Sequence, residues 1–383
     1  MLQGSSSSFL FTVCQIGAEN ALKKEIAREH PELRFAYSRP GFLTFKFDPK
    51  IGASPKELTP EFELRSAFAR AHGISLEEVA SPGLIIEKMI ELKRALHLPP
   101  EQAFRLHVWE KDEFPKGEEP PDFAPGQASR SLERLIRKEA ASRGTVRFHE
   151  SAVAVPGDFV LNVIILGSKN LEKPVWWLGY HRHTPQRSPF PGGIPEIELP
   201  PEAPSRAFLK LEEAVLRSGA PLLPGDTAVE IGSAPGGASY ALLQRGLNVV
   251  GIDPGEMDPR VVTMPHFRHI QKVVAAVHRP DLPENVEWLL VDMNVTPNIA
   301  LFAVDRLASR TKDTLLGVLL TIKLNQWKMA DQIPSMLEHV KVMGMVRARA
   351  VQLFHNRQEI LIFGFTRKGL LRKTSRNQEW QPE

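Results

Sequence analysis

Four side chains, far apart in the sequence, could share one piece of chemistry. Lys210 lies in Ser205-Arg-Ala-Phe-Leu-Lys-Leu-Glu-Glu213, which reads as a helix. Asp292 ends the run Trp288-Leu-Leu-Val-Asp292, Lys323 ends Leu319-Leu-Thr-Ile-Lys323, and Glu359 opens Glu359-Ile-Leu-Ile-Phe363. Ligands of an open α/β sheet sit at the carboxyl ends of its parallel strands. Asp292 and Lys323 would meet there, and Glu359, at the start of an antiparallel strand, would lie at the same edge. Two lysines among two carboxylates can steer or take a proton, but a lysine takes one only if burial or a nearby cation lowers its pKa. A strand-end Lys or Asp alone is usually just solvated, so the convergence of the four is an expectation.

A second signal is Glu230-Ile-Gly-Ser-Ala-Pro-Gly-Gly237, an apolar strand running into a glycine-rich turn and then a helix. Gly232, Gly236 and Gly237 let backbone approach a ligand closely. The spacing Gly-x-Ala-x-x-Gly departs from the dinucleotide fingerprint, and Pro235 removes a donor that a pyrophosphate would want. A nucleoside cofactor without a bridging pyrophosphate is expected. Asp253 closes the next strand, where an acid can accept hydrogen bonds from ribose hydroxyls. The competing reading is a structural turn followed by a solvated aspartate.

The elements that must position these residues lie in a third block, from Pro204 onward. Strand-like runs fall at Thr227–Gly232, Val249–Asp253, Val286–Asp292, Leu315–Ile322, Val346–Phe354 and Ile360–Thr366, with helical segments between most of them. Alternating β and α with near-continuous apolar strands predicts a parallel sheet covered on both faces. Only five residues separate the last two runs, so an antiparallel pair should end the sheet. The fold class is therefore α/β, Rossmann-like, preceded by α+β domains. The expected division is 1–82, a small α+β unit; 83–181, a compact α+β domain with a basic helix near 131–142; 182–203, a proline-rich linker; 204–370, the Rossmann-like domain; and 371–383, a basic tail. The first block reads as strand, helix 20–30, strand and strand. The second reads as helix, strand, a loop over 111–127, helix, strand and strand.

Composition narrows the function classes. The chain has 383 residues, with 48 Lys+Arg against 45 Asp+Glu, a net charge of +3. That is too balanced for a histone-like coat but leaves room for one basic face. The single cysteine, Cys14, rules out an intramolecular disulfide framework and a zinc ribbon. Residues 1–8 have no Lys or Arg and do not read as a secretory leader. No apolar stretch approaches the ~20 residues of a membrane span. A soluble cytoplasmic protein, monomeric and without a metal, is expected. The pairs His181/His183 and His266/His269 lack a third ligand and are read as surface or packing residues. Trp176-Trp177 could stack on bases, or lie in a half-buried strand. The basic tail could contact phosphates.

The segment Glu230–Gly237 with Asp253, Asp292 and Lys323 resembles the core of the FtsJ-type S-adenosylmethionine-dependent ribose 2′-O-methyltransferases. Within that family it is similar to the RlmM-like bacterial 23S ribosomal RNA cytidine 2′-O-methyltransferases. The matching segments are Gly179-Tyr180, Ser188-Pro-Phe, Gly193-Ile-Pro195, Glu202-Ala-Pro-Ser-Arg-Ala-Phe-Leu-Lys-Leu-Glu-Glu-Ala214 and Arg349-Ala-Val-Gln-Leu-Phe-His-Asn-Arg-Gln-Glu359. The likeness spans residues 176–366. It implies a Lys-Asp-Lys-Glu catalytic tetrad at Lys210, Asp292, Lys323 and Glu359. It also implies S-adenosylmethionine held by Gly232, Ser233, Ala234, Pro235, Gly236, Gly237, Asp253 and Asp292. Ribosomal RNA is the implied partner, with a THUMP-type RNA-binding domain and a ferredoxin-like unit ahead of the catalytic domain. Three positions depart from the pattern. Glu230 stands where the family usually has Asp, Lys272-Val-Val-Ala275 has no acid to face the cofactor base, and Ala207 replaces a serine. Other readings stay open: an RNA-binding assembly factor with a vestigial methyltransferase fold, or the same chemistry on tRNA or another RNA.

Overall fold

The computed structural model describes residues 9–51, 57–112, 126–167 and 175–372. It divides into two compact units, Met1–Glu196 and Ile197–Glu383.

The first unit holds β1 (Phe9–Val13), α1 (Glu19–Glu29), β2 (Leu33–Arg39), β3 (Phe42–Phe47), β4 (Ala71–Val79), α2 (Pro82–Ala95), β5 (Ala103–Glu110), α3 (Gln127–Arg143), β6 (Arg147–Phe148), β7 (Phe159–Ile165) and β8 (Trp176–Arg182). The strands form one sheet in the order β2-β3-β1-β4-β8-β7-β5-β6. The α2 helix starts where Ser81 accepts the Leu84 N–H and Pro82 supplies the preset first turn. A buried bidentate pair, Arg70 with Asp112 at 2.9 and 2.6 Å, fixes the entry to β4 against the end of β5. Charges taken out of water this way are held by pairing.

The second unit holds α4 (Ala207–Ser218), β9 (Thr227–Ile231), α5 (Gly237–Gln244), β10 (Asn248–Ile252), α6 (Pro259–Val262), β11 (Phe267–Ile270), β12 (Trp288–Asp292), α7 (Pro297–Thr311), β13 (Gly317–Lys323), α8 (Ile333–Val342), β14 (Arg347–Val351) and β15 (Glu359–Phe365). Its sheet order is β11-β10-β9-β12-β13-β15-β14. The five strands from β11 to β13 are mutually parallel, while β15 runs antiparallel to both β13 and β14. The order reverses between β9 and β12, the switch point at which such sheets open a crevice. All seven residues of β15 are buried, and in β13 only Lys323 is not. These continuous apolar runs belong to a sheet packed on both faces. One core cluster includes Leu209, Leu211, Leu242, Trp288, Leu319 and Phe363.

Three differences from the sequence reading have physical causes. First, β4 and β11 were not expected. The β4 stretch places Gly73 and the charges Glu77 and Glu78 in one strand, and β11 is a four-residue edge strand with one buried side chain. Neither shows the apolar run or alternation that marks a strand. Second, the expected boundary at residue 82 falls inside the first unit. β4 pairs with β8 across it, so both sides share one sheet. Third, the proline-rich stretch is packed. Arg187 is buried and donates to the carbonyls of His72 and Phe62 at 2.7 and 2.5 Å. Gly192 accepts from Arg70 at 2.8 Å.

Packing accounts for several of the weaker motifs. Trp176 is buried, and Trp177 donates to Ser75 at 2.9 Å with its ring against Phe42. His181 and His183 are buried, and the His181 ring lies 6.2 Å from that of His107. Among the described residues no group of His, Cys, Asp and Glu could hold a metal, and no helix is long and apolar enough to cross a membrane. Arg372 pairs with Asp226 at 2.9 Å, and the rest of the expected tail, 373–383, lies outside the described residues. So does most of the expected 111–127 loop.

Candidate active site

Four elements of the second unit deliver the four expected residues. Lys210 comes from α4, whose Leu209, Leu211, Ala214 and Val215 are buried in the core. Asp292 and Lys323 end the neighbouring parallel strands β12 and β13. Glu359 begins β15 and is the register partner of Lys323. The side chains close into a ring. Lys210 Nζ lies 2.7 Å from Glu359 Oε1 and 3.4 Å from Asp292 Oδ2. Lys323 Nζ lies 2.5 Å from Glu359 Oε2 and 3.2 Å from Asp292 Oδ1. Glu359 is 3% exposed and the other three are 19–22% exposed, so the ring is anchored inside and opens outward.

The electrostatics differ from one expectation. Burial pushes the Lys323 ammonium down, but the carboxylates of Asp292 and Glu359 outweigh it, and its pKa stands above the ordinary 10.5. Lys323 is therefore an ammonium in this arrangement, not a lysine poised to accept a proton. Burial pushes Glu359 up, yet Lys210 and Lys323 together hold it below the usual carboxylate value. Behind the ring is a cavity of about 30 Å³, lined in part by Lys210, Glu230, Asp292 and Thr321. That is room for a water.

The glycine-rich turn joins β9 to α5 beside the switch point. Asp253 follows β10 and spans this turn, accepting the Ala234 N–H at 3.2 Å and the Gly255 N–H at 2.7 Å. Glycine at 236 has a further reason within the fold. Its φ is +117°, and a Cβ there would come within 2.9 Å of Met257 and Val261. Gly236 thus also serves the backbone conformation and the packing against Met257 and Val261. A Cβ on Gly232 would likewise meet the Asp292 carbonyl at 2.6 Å. The Gly232 position keeps the turn against the end of β12.

Residues 203–361 match the model of the FtsJ-like methyltransferase family. This stretch is similar to the FtsJ-like methyltransferases. Ribosomal RNA large subunit methyltransferase M of Halorhodospira halophila is 34% identical over 182 residues, 46% of this chain and 51% of that one. The protein of the same name from Xylella fastidiosa strain 9a5c is 32% identical over 185 residues, again 46% and 51%. The chain thus spans about half the length of the curated relatives it matches. Among solved structures, TrmN from Thermus thermophilus is a loose likeness, with a TM-score of 0.33 and 15% identity over 93% of this chain and 99% of that one.

FtsJ-like methyltransferases depend on S-adenosylmethionine. The donor set around the glycine-rich turn of this chain fits a nucleoside of that kind. Each Asp253 oxygen accepts one N–H and keeps a lone pair for a hydroxyl. Pro235 is exposed and Ala234 half-exposed on the turn, whereas Ser233 is buried against Met257. Ser233 therefore shapes the turn from inside. Lys272–Ala275 has no acid, and its Val274 and Ala275 carbonyls accept from Arg306 of α7.

Sequence reasoning did not foresee how several residues support the second unit. Glu230 points inward and accepts from Ser239 Oγ at 2.5 Å. Burial, with smaller contributions from Asp292 and Asp253, raises its pKa to about 8, so the carboxyl is protonated at neutral pH. His269 Nε2 lies 3.0 Å from the Asp253 carbonyl and ties β11 to the turn after β10. Ser239 has no motif spacing that would have marked it, and His269 was marked only as half of the pair with His266, read as a surface or packing residue.

Proposed function

We propose that this chain is an S-adenosylmethionine-dependent RNA ribose 2′-O-methyltransferase, and that its target is a cytidine of 23S ribosomal RNA. The closed ring of Lys210, Asp292, Lys323 and Glu359 at the carboxyl edge of the sheet supports the chemistry most strongly. The ribosomal target rests on the names of the relatives.

The backbone of Gly232–Gly237, with Asp253 and Asp292, would hold the cofactor. When bound, it supplies a methyl group already activated on a sulfonium sulfur. Lys323, as an ammonium, donates a hydrogen bond to the ribose 2′-oxygen and stabilises the negative charge that builds there as the hydroxyl proton leaves to water. Glu359 fixes Lys323 and Lys210 by one oxygen each. Asp292, more loosely bonded to both lysines, orients them toward the opening. Holding the reactants in attack geometry can contribute about 7–11 kcal/mol.

The first unit is proposed to recognise RNA, with residues 83–181 as its principal RNA-binding part. Arg130, Arg134 and Lys138 recur every four residues on α3 and are exposed. They form a cationic stripe suited to phosphates. Ribose-methylation mapping of total RNA from strains with and without the gene tests the function. One 23S cytidine should lose its 2′-O-methyl group in the deletion, and an unchanged map would refute the assignment.

A further inference from the structure

Glu213 follows Lys210 by three residues on α4, so the two side chains leave one helix face on adjacent turns. Glu213 is 5% exposed. A carboxylate buried that deeply needs donors to remain charged, and here it has three. Glu213 Oε1 accepts the Phe354 N–H at 2.7 Å, and Oε2 accepts the His355 N–H at 2.9 Å. The His355 Nδ1–H reaches the same Oε2 at 2.7 Å.

His355 stands four residues before Glu359, in the turn from β14 to β15, and is itself 5% exposed. The other end of that turn is tied to β13: the Gln358 carbonyl accepts the N–H of Leu324, the residue after Lys323, at 2.8 Å. The turn that presents Glu359 is therefore held on one side by the strand bearing Lys323. On the other side it is held by the helix bearing Lys210. Lys210 and Glu359 meet at 2.7 Å only if helix and turn keep their spacing.

We propose that Glu213 is a positioning residue for methyl transfer. Clamped to His355 and the Phe354 amide, it sets the separation of Lys210 from Glu359. This inference rests on the reading of the four-residue ring as the transfer machinery. A displacement of order 1 Å in such a site can cost about 100-fold in rate.

The test is single-turnover transfer of tritiated methyl from S-adenosylmethionine to deproteinised 23S ribosomal RNA from a strain lacking the gene. Wild type, Glu213→Gln, Lys210→Ala and the double variant are compared. Glu213→Gln, whose amide turns a donor toward a donor, should slow transfer about 10- to 100-fold at saturating substrates. Cofactor affinity should stay within about twofold, because α4 does not hold the glycine turn through this bond. In the Lys210→Ala background the same change should cost less than about threefold, because its route of action is gone. His355→Leu keeps both main-chain bonds to Glu213 and removes only the ring donor. It should slow transfer in the same direction, and His355→Asn, with an amide near the Nδ1 position, should recover part of the loss. Equal losses from Glu213→Gln in both backgrounds would overturn the clamp and leave the ring untouched. A Lys210→Ala rate equal to wild type would overturn the ring itself.

Discussion

Lys323 and Glu359 face each other as register partners of an antiparallel pair, with Nζ 2.5 Å from Oε2. The direction of β15 is what makes this possible. A parallel strand would present its first residue at the opposite edge of the sheet, whereas the reversed strand begins at the edge where β12 and β13 end. Glu359 thus reaches the carboxyl edge from a deeply buried position. An isolated carboxylate there would be costly, and the two lysines offset that cost. The same pairing keeps Lys323 charged. Position, burial and protonation state are therefore consequences of one strand reversal.

Glu230 makes the stability of the second unit pH-dependent in an unusual sense. The unfolded carboxyl ionises near 4.5, while the folded one stays protonated to about 8. Between these values the folded chain binds more protons than the unfolded one, so stability falls as pH rises through the window and levels off above it. The slope is roughly 1.4 kcal/mol per pH unit for one such group. Urea unfolding from pH 5 to 9, followed by hydrogen exchange in β9 and α5, should show this decline, and Glu230→Gln should flatten it. A Gln variant with the wild-type slope would place the pH dependence elsewhere.

The first unit should respond to pH with the opposite sign. Burial lowers the pKa of His107 to about 3 and pushes His181 well below its ordinary value, with Arg187 adding to the second shift. Unfolded histidines ionise near 6.5, so this contribution is intact above that value and is lost as pH falls toward 3. Amides of β5 and β8 should exchange faster from about pH 6 downward, after correction for intrinsic rates. Replacing His107 by Gln should weaken the trend. Protection of these strands that is constant down to pH 4 would contradict it.

The cationic stripe on α3 gives a separable prediction for RNA. Changing Arg130, Arg134 and Lys138 together to Gln should leave cofactor binding unchanged. RNA binding should weaken, with the slope of log affinity against log salt reduced by about 2. Filter binding at several salt concentrations measures both. An unaltered salt slope would remove α3 from the RNA surface.

How much of this is legible in the sequence depends on the length scale of the cause. The alternation of the third block is readable because strands buried on both faces are continuous apolar runs, as β12, β13 and β15 show. Asp292, Lys323 and Glu359 are readable because strand ends define the sheet edge, whereas Lys210 lies on α4 and is marked only by the family resemblance. The strand β11 is not, because a short edge strand buries too little to impose a pattern. The Glu213–His355 clamp joins residues 142 apart through a helix and a turn, and no local spacing encodes it. His107 joins His181 only because β5 and β8 flank β7. A glycine at 236 is marked by the motif, but its close contact with Met257 and Val261 is visible only in the packed structure.

The most direct test of the account is the Lys323 substitution series, read as single-turnover methyl transfer at saturating cofactor and 23S ribosomal RNA. With the ammonium at the reacting oxygen, Lys323→Ala should slow transfer at least ~100-fold while both affinities stay near wild type. Lys323→Arg, which keeps the charge, should recover at least about tenfold over Ala, short of full activity because its planar fork does not match the lysine geometry. The wild-type rate should be level between pH 7 and 9, since Lys323 is charged throughout. An arginine variant as inactive as alanine, with a wild-type rate climbing about tenfold per pH unit, would make Lys323 a base and contradict the account.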